Sequence, residues 1–209
     1  MVSKSPPPDI VIGRLPIYLR ALEALSAEAQ EITSSYELGE RLGISSAQIR
    51  KDLSHFGDFG KQGTGYEISF LIEQLRQILK LKERWVVVVV GAGHVGQALV
   101  NYRGFNEHGF DIVGIFDKDP VKVGKPINGL VIRDDQELPA VLNEYRVRIA
   151  MIATPAVAAQ EITDVLVNCG VKAILSYAPT MLSVPADVRV QYIDPVASLQ
   201  HMTYYLNRD

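Results

Sequence analysis

Only one cysteine, Cys169, stands among the 209 residues. A lone thiol excludes an intrachain disulfide framework and a cysteine-rich zinc site, so no metal is expected, and it fits a reducing cytoplasm. Long apolar runs are absent too. The longest ends at Gly91 and falls far short of the ~20 residues that span a bilayer, so no membrane is expected. The N-terminus lacks the apolar core behind a basic flank that marks a signal peptide. Histidine is scarce. Of His55, His94, His108 and His201, His94 falls inside a glycine turn with no His–carboxylate pair apparent near it. Excess charge of one sign is missing as well: the net charge of −3 does not advertise nucleic-acid binding.

That charge is unevenly spread. Residues 41–84 hold eight Lys/Arg against five acids, while residues 86–209 hold ten against thirteen. Such asymmetry points to a polyanion near the first half. At 47% hydrophobic and 22% charged residues, the chain has ordinary globular composition and room for two small domains or one large one.

The densest signal lies mid-chain. Trp85–Val90 is an unbroken apolar strand. It runs into Gly91-Ala92-Gly93-His94-Val95-Gly96, a G-x-G-x-x-G turn that opens a helix. Gly91 permits the turn, Gly93 lets backbone approach phosphates, and Gly96 lets the helix pack on the strand. The helix N-terminus adds partial positive charge. A second strand, 111–117, ends in Asp117, 21 residues after Gly96. A carboxylate there accepts from the adenosine ribose hydroxyls and repels a 2′-phosphate, favouring NAD(H) over NADP(H), with Lys118 working against that preference. Strand 149–153 leads into Thr154-Pro155 at the end where ligands of open α/β sheets bind. After a helix at 157–168, strand 171–175 repeats the pattern, giving a doubly wound sheet. A Rossmann-like domain without a dinucleotide, or one taking coenzyme A, stays open. Cys169, before Gly170 at a helix end, reads as a packed thiol.

The first 85 residues read differently. Ser3 to Pro8 is a Pro-rich, disordered lead-in. Pro16 suits a first helical turn, and Leu15, Leu19, Leu22 and Leu25 fall on one helix face. Ser34-x-x-Glu37 and Ser45-x-x-Gln48 are capping boxes for two short helices, with Gly43 ending the first. Two short helices joined by a glycine turn form a helix-turn-helix. The second of these buries Ile49, Leu53 and Phe56 and presents Gln48, Arg50, Lys51, Ser54 and His55, donors suited to base edges and phosphates. The glycine-rich stretch 56–66 fits a tight β-ribbon bearing Lys61, completing a winged helix. A further helix uses Phe70, Leu71, Leu75, Ile78 and Leu79 as its apolar positions. A structural bundle, or a plain loop in place of the ribbon, would carry the same pattern.

The run Gln48-Ile49-Arg50-Lys51-Asp52-Leu53-Ser54-His55-Phe56-Gly57-Asp58-Phe59-Gly60-Lys61-Gln62-Gly63-Thr64-Gly65-Tyr66 resembles the DNA-binding region of the Rex family of bacterial redox-sensing repressors. So do the stretches 116–120 and 173–178 with Pro179. The resemblance covers the chain from about Leu15 onward. It implies an α/β protein with an N-terminal winged-helix DNA-binding domain over 1–85 and a Rossmann NAD(H)-binding doubly wound parallel sheet over 86–194. The C-terminal helix, over 195–209, would be exchanged between subunits. It further implies a homodimer on palindromic double-stranded operator DNA, released by NADH and not an enzyme. The implied DNA contacts are Ser46, Gln48, Arg50, Lys51, Ser54, His55, Lys61, Gly63 and Tyr66. The cofactor set is Gly91, Ala92, Gly93, His94, Val95, Gly96, Asp117, Lys118, Thr154 and Pro155. The resemblance also implies a sensing trio of Arg20, Tyr102 and Asp194, and a stripe of Leu199, Met202 and Leu206 along a helix at 196–206. Pro195 departs from the family, which can carry an aromatic or aliphatic residue near the nicotinamide. A small NAD-dependent oxidoreductase with a helical dimerisation domain is a second class, against which stands the lack of room for a substrate domain. A regulator that binds coenzyme A or another nucleotide is a third, against which Asp117 argues for a free ribose diol.

Overall fold

The computed structural model of the chain describes residues 6–60 and 64–206. Lys61, Gly63 and the Ser3–Ser5 part of the lead-in lie outside the described residues. The chain divides into two compact units, Met1–Glu83 and Arg84–Asp209.

In the first unit, α1 (Asp9–Ala27) is followed by β1 (Ile32–Thr33), α2 (Ser35–Leu42), α3 (Ser46–Ser54), β2 (Tyr66–Glu67) and α4 (Ile68–Ile78). The four predicted leucines of α1 are buried and meet Leu38, Ile49, Leu53, Leu71 and Leu75 in one core. Gly43 ends α2 in the left-handed region, at φ 66°.

The first unit departs from the sequence expectations at four points. Pro16 lies inside α1, not in its first turn. The helix starts a full two turns earlier because Val11 and Leu15 are buried, and that burial outweighs the missing proline N–H. The capping boxes form only by half. Ser34 and Ser45 accept from the Glu37 and Gln48 amides. The Glu37 carboxylate instead takes Gln30 and Thr33, and the Gln48 amide turns to Asp52. Phe70 is exposed, its ring edge-on to Phe59. Finally, β2 pairs antiparallel with β1, as Ile32 with Glu67 and Thr33 with Tyr66. Among the described residues, the 56–60 arm forms no strand. The ribbon's pairing therefore reaches back across the helix-turn-helix.

The second unit runs β3 (Trp85–Val90), α5 (His94–Asn101), α6 (Gly104–Glu107), β4 (Phe110–Asp117), β5 (Pro126–Ile127) and β6 (Leu130–Asp134). It continues with α7 (Leu138–Glu144), β7 (Ile149–Ile152), α8 (Ala156–Asn168), β8 (Ala173–Ser176), β9 (Arg189–Tyr192) and α9 (Pro195–Thr203). The sheet order is β5-β6-β4-β3-β7-β8-β9, parallel except for β5 against β6. This is the doubly wound order, with its reversal between β3 and β7. The valine run of β3 follows from its place at that centre. Val87 and Val89 enter one core with Leu99, Ile115 and Met151, while Val88 and Val90 enter another with Phe116, Ala150 and Leu166. A strand covered on both faces has no polar side to alternate with. Val171 precedes β8 and is buried outside it. Cys169 caps α8 and packs on the second core. The C-terminal helix begins at Pro195 and ends at Thr203, short of Leu206.

Candidate functional site

In the second unit, the strand ends around the sheet reversal enclose a cavity of about 900 Å³. Gly91, at φ 105°, brings β3 against the next strand so closely that a Cβ would sit 2.5 Å from the Ala153 carbonyl oxygen. A Cβ at Gly96 would overlap the Gly91 carbonyl oxygen and lie 2.9 Å from its carbon. Around a Cβ at Gly93, by contrast, there is open space, so the N-cap of α5 is free for a close backbone approach. Gly91, Gly93, Val95, Asp117, Lys118, Thr154 and Pro155 all line the cavity. Ala92 and Gly96 are buried behind it, and His94 is exposed on α5.

Asp117 closes one side. Its Oδ2 accepts from the Ala92 amide at 2.7 Å and from Lys122 Nζ at 2.9 Å, and its Oδ1 from the Asp119 amide at 2.9 Å. Burial pushes its pKa up, but the Lys122 ammonium and the two amides outweigh that and hold it below the usual carboxylate range. The partner cation is thus Lys122 and not the adjacent Lys118, which is exposed. The sequence signal for Lys122 is the Asp119-Pro120 turn, whose carbonyl takes the Lys122 amide and folds the chain back. Opposite, the Thr154 hydroxyl is buried with no hydrogen-bond partner, a group that an incoming polar ligand would satisfy. Unpartnered hydroxyl, open glycine N-cap and ionised carboxylate together fit the phosphates and ribose of an adenine dinucleotide.

In the first unit, Arg50 and Lys51 are exposed on α3, and Arg50 Nη1 reaches the Ser35 hydroxyl at 2.8 Å. Ser54 is exposed and donates to the Lys51 carbonyl. His55 caps α3, half-buried like Ser46. Tyr66 lies half-buried in β2, where burial pushes its phenol pKa up. Gln48 is not a free outward donor: its Nε2 gives a 2.6 Å bond to Asp52 Oδ1.

Asp52 is the residue the sequence reading missed. It is 0% exposed. Arg14 grips it with Nε and Nη2 at 2.6 and 2.8 Å, and the Tyr18 hydroxyl donates at 2.6 Å. Burial pushes the Asp52 carboxyl up, but donors from Arg14, Tyr18 and Gln48 bring it below its ordinary value. The findable signal was an acid inside an otherwise basic helix, with Arg14 and Tyr18 four apart on one face of α1.

Of the sensing trio, Arg20 is exposed on α1 in the first unit. In the second unit, Tyr102 follows α5, 59% exposed and edge-on to Phe105. Asp194 caps α9, accepting from the Val196 and Ala197 amides. Among the described residues, no hydrogen bond joins Tyr102 to Asp194.

The family model described as "Putative DNA-binding protein N-terminus" matches residues 8–54, and "CoA binding domain" matches 82–180. A "Redox-sensing transcriptional repressor Rex" of Roseiflexus sp. (strain RS-1) is 53% identical over 203 residues, covering 97% of this chain and 92% of that protein. The protein of the same description from Chloroflexus aggregans is also 53% identical, covering 97% and 96%. RSP, described as a Rex-family repressor, was solved in complex with β-NAD+ and operator DNA. That structure superposes with a TM-score of 0.92 at 37% identity, over 98% of this chain and 94% of RSP. RSP with β-NADH gives 0.88 at 35%, over 98% and 96%. With a helix-turn-helix unit, a doubly wound sheet and end-to-end identity above half, the chain belongs to the Rex family of redox-sensing transcriptional repressors.

Proposed function

We propose that the chain is a homodimeric, NADH-responsive repressor acting in the cytoplasm and without catalytic activity. What carries this reading is RSP, similar over its whole length, which holds β-NAD+ with operator DNA in one structure and β-NADH in another. In this chain α3 and the ribbon engage the operator through Ser46, Gln48, Arg50, Lys51, Ser54, His55, Lys61, Gly63 and Tyr66. The α5 N-terminus holds the pyrophosphate, Asp117 the adenosine ribose, and Thr154-Pro155 line the rest of the dinucleotide's path. Arg20, Tyr102 and Asp194 form the sensing contacts, and α9 with Leu206 packs on the second copy.

NADH and NAD+ differ by one hydride and the ring charge. The adenosine half supplies affinity, and only the nicotinamide end can discriminate. A ligand shifts a conformational equilibrium only by its differential affinity for the two states, about 1–3 kcal/mol for a typical coupling. The test is fluorescence-detected binding to a duplex that the protein selects from a random library, at fixed salt. Titration with NADH should release the DNA and NAD+ should not. Binding indifferent to both would sink the redox reading.

Two substitutions separate the halves. Lys51→Ala should weaken operator binding by about 1–3 kcal/mol if it contacts a base edge, or reduce the salt slope by about 1 if it contacts a phosphate. NADH affinity should not change, and an equal drop in both would contradict the division of labour. Asp117→Ala should weaken NADH and NAD+ alike, by about 1.5–3 kcal/mol for charge-assisted bonds. Unchanged affinities in calorimetry would remove the ribose role. The same calorimetry with coenzyme A addresses a second reading, favoured by the family description over 82–180. Asp117 would repel a phosphate on the ribose, and we expect coenzyme A to bind more weakly than NADH.

A further inference from the structure

Four donors converge on Asp52. Oδ2 accepts from Arg14 Nε and the Tyr18 hydroxyl, and Oδ1 accepts from Arg14 Nη2 and Gln48 Nε2. A carboxylate offers about four lone-pair directions, and all are taken. A glutamine amide is ordinarily free to turn over, exchanging its oxygen for its nitrogen. Here the turned form would set Oε1 against Oδ1, acceptor against acceptor at hydrogen-bond distance. The buried carboxylate therefore leaves Gln48 one orientation. One N–H is committed inward, and one N–H and the whole carbonyl remain.

Gln48 is the third residue of α3, half-buried, with Arg50 and Lys51 exposed beyond it. In helix-turn-helix proteins the N-terminal residues of the second helix meet base edges in the major groove. The remaining N–H and carbonyl match adenine, which presents an acceptor at N7 beside a donor at N6. Guanine presents two acceptors, so the fixed carbonyl would face O6. Thymine offers an acceptor and a methyl group, and cytosine a donor alone. An amide free to turn could have met guanine with both of its N–H groups.

We propose that Asp52 is a positioning residue that locks Gln48 as the adenine-reading side chain of α3. The inference rests on the operator-binding reading above. It assigns one base per half-site to one amide and gives the Arg14–Tyr18–Asp52 cluster a part in sequence choice.

The test selects duplexes from a random library with the full chain, its Gln48→Met variant and its Gln48→Glu variant. Gln48→Met leaves the Arg14 and Tyr18 bonds to Asp52 in place. The wild type should enrich one adenine per half-site that depends on Gln48. Met should lose discrimination at that position alone, by about tenfold, the loss of one good bidentate pair. The rest of the sequence preference and the NADH affinity should hold. Glu, an acceptor only and repelled by Asp52, should shift the preference toward cytosine, whose N4 is a donor. Equal weakening on every sequence, or an adenine preference that survives in Met, overturns the inference while operator binding stands. Failure of the wild type to enrich any duplex overturns both.

The lock itself is read in the free wild-type protein by side-chain amide NMR. Gln48 should show two widely separated N–H signals, one protected from solvent exchange. Two signals at the positions of an exposed amide overturn the positioning role of Asp52.

Discussion

Gly96→Ala should dislodge α5 from β3, lower the stability of the second unit by at least about 1–3 kcal/mol and remove measurable nucleotide binding. The added methyl has nowhere to go, because it would overlap the backbone carbonyl of Gly91 and not the flexible end of a side chain. Relief requires the helix to move as a body, and a close-packed interior resists that. The cradle is then misplaced along with the helix, since Gly93 caps it. Gly93→Ala is the informative contrast. Its φ of −75° suits any residue and nothing lies within 4 Å of its Cβ. The fold should survive while the methyl keeps phosphates at a distance. Urea unfolding together with NADH titration checks both. A Gly96→Ala protein of wild-type stability would mean that the helix is not held against the strand as described.

Arg14→Met should cost the first unit about 3 kcal/mol. Breaking a buried ion pair leaves an uncompensated charge, with typical losses of about 3–5 kcal/mol. Arg14 keeps 20% of its side chain exposed, which puts the expectation at the lower end. The pH dependence gives the mechanism away. In the wild type the folded Asp52 carboxyl titrates below its ordinary value. Its stabilisation is therefore full above about pH 4, the unfolded value, and is lost as the pH falls through the folded one. Without Arg14, burial is opposed only by Tyr18 and Gln48, so the folded carboxyl should titrate higher than in the wild type. The variant's deficit should therefore be largest at neutral pH and shrink on acidification. Parallel pH–stability curves for the two proteins would refute the account.

The sheet was legible because its signals are local. The valines of β3, the glycine spacing and an acid ending β4 all lie within about 30 residues, and each maps onto one physical need. The same locality found α2 and α3 through their serine caps. Partners brought in from a distance were not legible. Pro16 looked like a helix start because the burial of Val11 is decided by the folded core. The ribbon's true partner, Ile32–Thr33, lies before the helix-turn-helix, and two-residue strands leave no alternation to detect. Asp52 read as one more charge on a basic helix until Arg14 and Tyr18, more than 30 residues earlier, were seen to close over it. Lys122 was hidden for a smaller reason: five residues along a strand would carry it away from Asp117, and only a turn returns it.

The helix α9 has no buried residue, with Val196, Leu199 and Met202 each about 60% exposed. Nine residues in water are too few to hold a helix by backbone bonds alone. Its order must then be borrowed from whatever covers it, and in the proposed homodimer the lender is another molecule of the same chain. Mass action then governs a piece of secondary structure. In that proposed homodimer, dilution would unwind α9 before the rest of its unit, and the number of molecules in a cell would become an input to the switch alongside the nucleotide.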